Sequence, residues 1–160
     1  FMYGDLILNN QFKTPWKRLP LNLLLEAEQN LRAAGHPMGA KGTVQKNLGR
    51  QSHGYLVDFS VGQSKNRGDF QLGYAWERLE QDAIIASWGE SDQRAPTNVL
   101  QNRFYGTWRL RQNILASGTF WYGRTLNQNL QHAALAPGWS ASKGTEPYLL
   151  RPQFDLIYTF

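Results

Sequence analysis

The feature that most constrains this chain is a two-residue rhythm of apolar and polar side chains. Over residues 53–63, Tyr55, Val57, Phe59 and Val61 fall on one side, and Gly54, Asp58, Ser60 and Gly62 on the other. Over 69–81, Phe70, Leu72, Tyr74 and Trp76 oppose Gln71, Gly73, Ala75, Glu77 and Gln81. Over 99–111, Leu100, Phe104, Trp108 and Leu110 oppose Gln101, Arg103, Tyr105, Thr107, Arg109 and Arg111. Residues 19–30 put Leu19, Leu21, Leu23, Leu25 and Ala27 on one side and Glu26 and Glu28 on the other. Near the end, Leu150, Phe154, Leu156, Tyr158 and Phe160 oppose Arg151, Gln153, Asp155 and Thr159. Side chains alternate faces only in an extended strand, so period two predicts β-structure. Residues 2–10 and 114–126 read as two further strands. In the latter, Ile114, Phe120 and Tyr122 compete with Leu115 and Trp121 for the apolar face. No helix of useful length is expected. The stretch 77–85 reads as strand continuation, and a short helical turn fits 130–136.

The polar faces narrow the choice of fold. Soluble sandwiches expose Lys and Glu on short strands. Here the strands run to about a dozen residues, near the roughly 9–11 needed to cross a bilayer on a tilt. Lysine is missing from them: Lys13, Lys17, Lys41, Lys46, Lys65 and Lys143 all fall in predicted turns or loops. Charged residues make up 18% of the chain, below the roughly 25% of soluble domains, and Asn and Gln fill the gap. The abundance of Trp, Tyr and Phe excludes disorder. No apolar run approaches a transmembrane helix. A membrane β-barrel survives this test, because its signal is alternation. Aromatics cluster near strand ends, with Phe70, Trp108, Tyr158 and Phe160 at one level and Tyr55 and Trp76 towards the other. That pattern predicts the two girdles of a barrel at the membrane interfaces.

The connections alternate in length. Links at 14–17, 65–67 and 112–113 are tight, whereas 34–52, 83–98 and 127–148 are long and rich in Gly, Pro, Ser and Asn. Short periplasmic turns and long external loops are the habit of outer-membrane barrels. The first and seventh strands both run from outside towards the periplasm. An even-stranded barrel with periplasmic termini then needs at least one more strand upstream. The expectation is an all-β, antiparallel up-and-down transmembrane β-barrel. Residues 1–160 supply its C-terminal segment, about seven strands of a single larger barrel domain.

The last strand, Leu150-Arg151-Pro152-Gln153-Phe154-Asp155-Leu156-Ile157-Tyr158-Thr159-Phe160, resembles the C-terminal assembly signal of outer-membrane proteins. Phe160, Tyr158, Leu156 and Phe154 carry the match. The stretches Leu19-Pro20-Leu21-Asn22 to Glu28-Gln29-Asn30, Gly68-Asp69-Phe70 with Tyr74, Glu80-Gln81-Asp82-Ala83, and Ser91-Asp92 before Pro96-Thr97-Asn98 are similar to a bacterial porin family. The resemblance implies a multi-pass protein of the cell outer membrane that lets small polar or charged solutes diffuse passively. It also implies a homotrimer, outer-membrane lipid and lipopolysaccharide as surroundings, and barrel-assembly machinery engaging the C-terminal strand. It brings no catalytic residue and no nucleic acid.

Chemistry beyond a channel finds little support. Cys is absent, and His36, His53 and His132 make no HExxH, so no metal site or cofactor is expected. Gly39-Ala40-Lys41-Gly42-Thr43 lacks phosphate-loop spacing. His53 and Asp58 fall on opposite faces of one strand, which excludes a triad with Ser60, and no G-x-S-x-G elbow exists. The expectation is a protein that is not an enzyme.

The candidate pore-lining residues are the inward charges Glu26, Glu28, Asp58, Glu77, Arg103, Arg109, Arg111, Arg151 and Asp155. Glu77 is expected near Arg103 across a regular hairpin, and the arginine column predicts a mild anion preference. Two other readings remain open: a soluble all-β carbohydrate-binding module, and a non-conducting structural barrel in an outer-membrane assembly.

Overall fold

A computed structural model describes residues 1–36, 48–85, 94–130 and 133–159. Among the described residues, nine strands form in chain order. They are β1 (Tyr3–Phe12), β2 (Leu21–Asn30), β3 (Gly35–His36), β4 (Gly49–Arg50), β5 (His53–Gly62), β6 (Phe70–Leu79), β7 (Val99–Arg111), β8 (Ile114–Thr125) and β9 (Leu149–Tyr158). Seven of them make one antiparallel sheet in the order β1-β2-β5-β6-β7-β8-β9. Every sheet neighbour is the next long strand in sequence, so the sheet is a simple meander. It is not closed into a barrel: β1 and β9 are its two edges. Pro152 lies within β9, on an edge strand, where a residue without an N–H is tolerated.

The alternation is realised rung by rung. One continuous rung runs Leu23–Phe59–Tyr74–Phe104–Phe120–Pro152. The next runs Leu24–Asp58–Ala75–Arg103–Trp121–Arg151. Directly paired residues share a face, so one face of the sheet is largely apolar, with Arg78 and Arg124 near its long-loop end, and the other is polar. The apolar face is open to its surroundings. Phe154 is 84% exposed, Leu6 72% and Leu156 71%. A soluble sheet buries such a face against a second layer, and no second layer is present among the described residues. The small buried cluster of Leu79, Ala83 and Val99, with Ile84 against it, sits where the long loops leave the strands.

One facing left open by the alternation is decided here, and several expectations are corrected. In β8, Phe120 and Tyr122 take the apolar face, and Leu115 and Trp121 the polar one. β6 stops at Leu79, because Glu80 and Asp82 donate their N–H groups to the carbonyls of His53 and Gln51. The segment 34–52 contains the β3–β4 ribbon, which puts His36 in a strand. Residues 133–136 form no helix, and a single 3-10 turn lies further on at Ala141–Lys143. The pattern at Gly39–Thr43, His132 and Phe160 lie outside the described residues.

Candidate functional site

The polar face is organised around two small residues on β6. Neighbouring strands lie about 4.8 Å apart, so a side chain reaching two strands over must cross the middle one unhindered. Ala75 stands between Asp58 and Arg103 on one rung, and Gly73 between Ser60 and Tyr105 on the next. Over Ala75, the Arg103 guanidinium donates to Asp58 Oδ2 at 3.0 Å. Over Gly73, the Tyr105 hydroxyl donates to Asp58 Oδ1 at 2.6 Å. A Cβ on Gly73 would collide with the Tyr105 ring. Both oxygens of Asp58 are thus held by β7. The Arg103 guanidinium also lies 5.2 Å from the ring centroids of both Tyr105 and Trp121, in cation–π range. Beside it a shallow cavity of about 330 Å³ is lined by Arg103, Tyr105, Thr107, Ser117, Thr119 and Trp121.

A second group on this face is acidic. Asp5 stands opposite Glu28, Glu26 lies two residues from Glu28, and Glu77 shares a rung with Leu56 and Glu26. The Tyr3 hydroxyl donates to Glu28 at 2.8 Å, and the Gln101 amide to Glu77 at 3.0 Å. Gln101, and not Arg103, is the residue directly across from Glu77.

The expected arginine column is broken up. Arg103 is ion-paired with Asp58. Arg109 donates to the Ser64 carbonyl at 3.0 Å and to that of Gln112 at 3.4 Å, so it braces two turns. Arg111 leaves the polar face. The register slips between Arg109, opposite Leu115, and Arg111, opposite Ile114. Ile114 pairs in turn with Tyr158 of the apolar face. One extra residue in a strand reverses the facing of every residue beyond it. Alternation alone cannot reveal such a bulge, which is why Arg111 reads as inward in the sequence.

Asp155 and Arg151 lie on the polar face of β9. Among the described residues, the polar face of the sheet therefore carries Asp5, Glu26, Glu28, Asp58, Glu77 and Asp155 against Arg103, Arg109 and Arg151. That is six acids against three bases, a net of −3.

The described girdle candidates, Tyr55, Phe70, Trp76, Trp108 and Tyr158, fall on the apolar face. Phe70 is directly opposite Trp108 near the short turns, and Tyr158 lies at the same end. Tyr55 and Trp76 lie towards the long loops. The band between them is not purely aliphatic, because the Phe59–Tyr74–Phe104–Phe120 rung crosses it. Tyr74 and Phe104 pack at 5.0 Å. Asn102, also on the apolar face, is satisfied internally: it accepts from the Tyr74 hydroxyl at 2.7 Å and donates to the Tyr122 carbonyl at 3.2 Å.

The long-loop end holds a network that the sequence does not announce. Glu146, 1% exposed, accepts from Arg94, from the Thr125 N–H at 3.1 Å and from the Ala136 N–H at 2.5 Å. Arg94 also donates to Thr125 Oγ1 and to the Ala134 carbonyl. Asn98, at a left-handed φ of 57°, exchanges two hydrogen bonds with Asn127, and Asn127 donates to Gln51. Asn30 donates to the Asp82 carbonyl at 2.8 Å. Three loops are thereby tied together. Desolvation pushes the Glu80 carboxyl up, but the His53 N–H, the Arg78 guanidinium and the His53 ring outweigh it and hold it below the usual range.

Comparison with protein-family models, with curated proteins and with solved structures finds no match to this chain.

Proposed function

We propose that this sheet is a stretch of wall of an outer-membrane β-barrel lining a passive channel for small polar or charged solutes. The observation that carries the reading is the division of the sheet into one exposed apolar face and one charged face on strands of ten to thirteen residues. In water that apolar face would drive association. In a bilayer it meets acyl chains, and the polar face meets a wet lumen.

The two open edges fit only if further strands pair with them. An edge strand of ten residues presents about five N–H and five C=O groups outward. Each left unsatisfied in hydrocarbon costs several kcal/mol, so open edges do not persist at membrane depth.

The charge balance sets the expected selectivity. The acids on β1, β2, β5 and β6 outnumber the arginines, and Arg103 is neutralised by Asp58. Mild cation preference replaces the anion preference that alternation suggests, since rings and arcs of carboxylates favour cations.

The test is the reversal potential across a planar bilayer under a salt gradient. Glu26→Gln with Glu77→Gln should move it towards anions, and Arg103→Gln towards cations. A native protein that stays in the aqueous fraction without detergent overturns the barrel and returns the carbohydrate-binding alternative. A membrane-inserted protein with no conductance leaves a structural barrel.

A further inference from the structure

The short-turn end of the sheet combines three features with no part in conduction. The first is a groove on the apolar face. Gly106 and Gly118 are directly paired, and the missing side chains leave a trough of about 650 Å³. Phe70, Leu72, Trp108, Ala116 and Phe154 wall it. The second is the bulge in β7, which brings the exposed Arg111 onto this same face beside Ile114 and Tyr158. Three residues of extended chain separate Trp108 from Arg111, roughly 10 Å.

The third is the charge of the rim. Lys13, Lys17, Arg18, Lys65 and Arg67 fill the two longer turns, with Arg111 at the third. Among the described residues of these turns the only carboxylate is Asp69, and it is already engaged. It accepts from the Asn66 N–H at 2.9 Å and from Gln63 at 3.1 Å, and lies 3.7 Å from Arg18. Lys65, Arg67 and Arg111 are exposed.

We propose that this end holds an anionic glycerophospholipid. One acyl chain lies in the Gly106–Gly118 groove, and the phosphate meets Arg111 and Arg67 at the rim. The charge complementarity selects the occupant. An apolar trough alone accepts any chain, but a trough under exposed guanidinium groups discriminates for phosphate lipids bearing net negative charge, and Arg suits phosphate through its planar fork. The proposal rests on the barrel-wall reading, because the groove meets acyl chains only if the apolar face meets the bilayer.

The experiment reconstitutes the full chain into mixed phosphatidylcholine–phosphatidylglycerol vesicles, floats them, extracts with neutral detergent and counts retained lipids by native mass spectrometry. Phosphatidylglycerol should be enriched over phosphatidylcholine, and the enrichment should fall with salt. Arg111→Gln and Arg67→Gln should each lower the enrichment roughly fivefold, the usual worth of one basic residue at an anionic surface. Gly118→Leu, which fills the trough without touching the charge, should lower retention of both lipids. Lys143→Gln, at the opposite end, should change nothing and controls for net charge. Failure to float overturns the barrel reading and this site with it. Flotation with equal retention of the two lipids, or enrichment unmoved by both arginine variants, overturns this site alone.

Discussion

The two ends of the sheet solve the same problem, returning a strand, by opposite means. At the long-loop end, polar side chains are turned inward and consumed. Arg94 and Glu146 are buried against each other, and Asn30, Gln51, Asn98 and Asn127 link three loops. At the short-turn end the backbone sets the shape, and most of the charges are left outside. Gly62 and Gly68 take φ of 97° and 83°, a Cβ on Gly62 would collide with the Phe70 carbonyl oxygen, and Lys13, Lys17, Arg18, Lys65 and Arg67 stand exposed. The difference is one of length. The β5–β6 turn, residues 63–69, is short enough for its backbone dihedrals and a few local hydrogen bonds to fix it. A long loop must recover its ordering entropy through contacts of its own.

The largest effect is expected at Glu146. Replacing it with Ala leaves Arg94 charged and buried and strips an acceptor from two backbone N–H groups. Breaking a buried pair from one side costs about 3–5 kcal/mol. The expected outcome is rapid proteolysis within 126–148 while the strands stay resistant. Glu146→Gln, which keeps an acceptor, should be milder. If both variants resist protease like the parent, the loop end is not held by this pair.

At the turn end the matching probe is Gly62→Ala. A side chain there meets both a disfavoured φ and a carbonyl oxygen, and strain of this kind costs about 1–3 kcal/mol. The urea midpoint should drop. Gly68→Ala, where the φ is positive but the space is open, should cost less. Equal losses would mean that dihedral strain alone, without the collision, sets the turn.

How far the sequence reaches also differs between these regions. The strands and their facings are legible because pleating imposes a fixed period on side chains, and Phe70, Leu72, Tyr74 and Trp76 obey it without exception. The tight links are legible from Lys65-Asn66-Arg67 and Gln112-Asn113. Arg111 is not, because a one-residue bulge leaves no mark in an alternating pattern. Arg94 and Glu146 are not, because they are 52 residues apart and no spacing rule joins two loops. Asp58–Arg103 is half legible. Both read as facing inward, but their pairing depends on Ala75 lying between them, which only the register supplies.

Acid should loosen the two ends in order. Glu80, at the long-loop end, is held below its ordinary value despite desolvation. Asp69, in a short turn, is held low first by the Asn66 N–H, against desolvation, with Gln63 and Arg18 adding to it. A carboxyl with a depressed folded pKa stabilises above its unfolded value and loses that contribution as pH falls through the folded one. The unfolded values are about 4.3 for Glu and 3.9 for Asp. Both contributions should be intact at pH 6, with the Glu80 part fading first as pH drops below about 4.3. Glu80→Gln should flatten the upper part of the acid titration of the urea midpoint and leave the lower part. A profile unchanged by Glu80→Gln would mean that its carboxylate is not stabilising the loop end.

The smallest effect is expected at Arg18. Its guanidinium sits 3.7 Å from Asp69, but the Arg18 side chain is 69% exposed. An exposed pair gains little in high dielectric, and holding a long side chain in place offsets most of that gain. Most of what holds Asp69 does not depend on Arg18: the Asn66 N–H and the Gln63 amide both bind its Oδ2, and Arg18 faces only Oδ1, beyond hydrogen-bond range. Arg18→Ala should therefore leave the urea midpoint where it was, at low and high salt alike, whereas Asp69→Ala should lower it by removing the acceptor that closes the turn. A double-mutant cycle with both changes should return no coupling. A clear coupling that vanishes in high salt would show that the turn end does spend a surface charge on its own fold, and the contrast between the two ends would be one of degree.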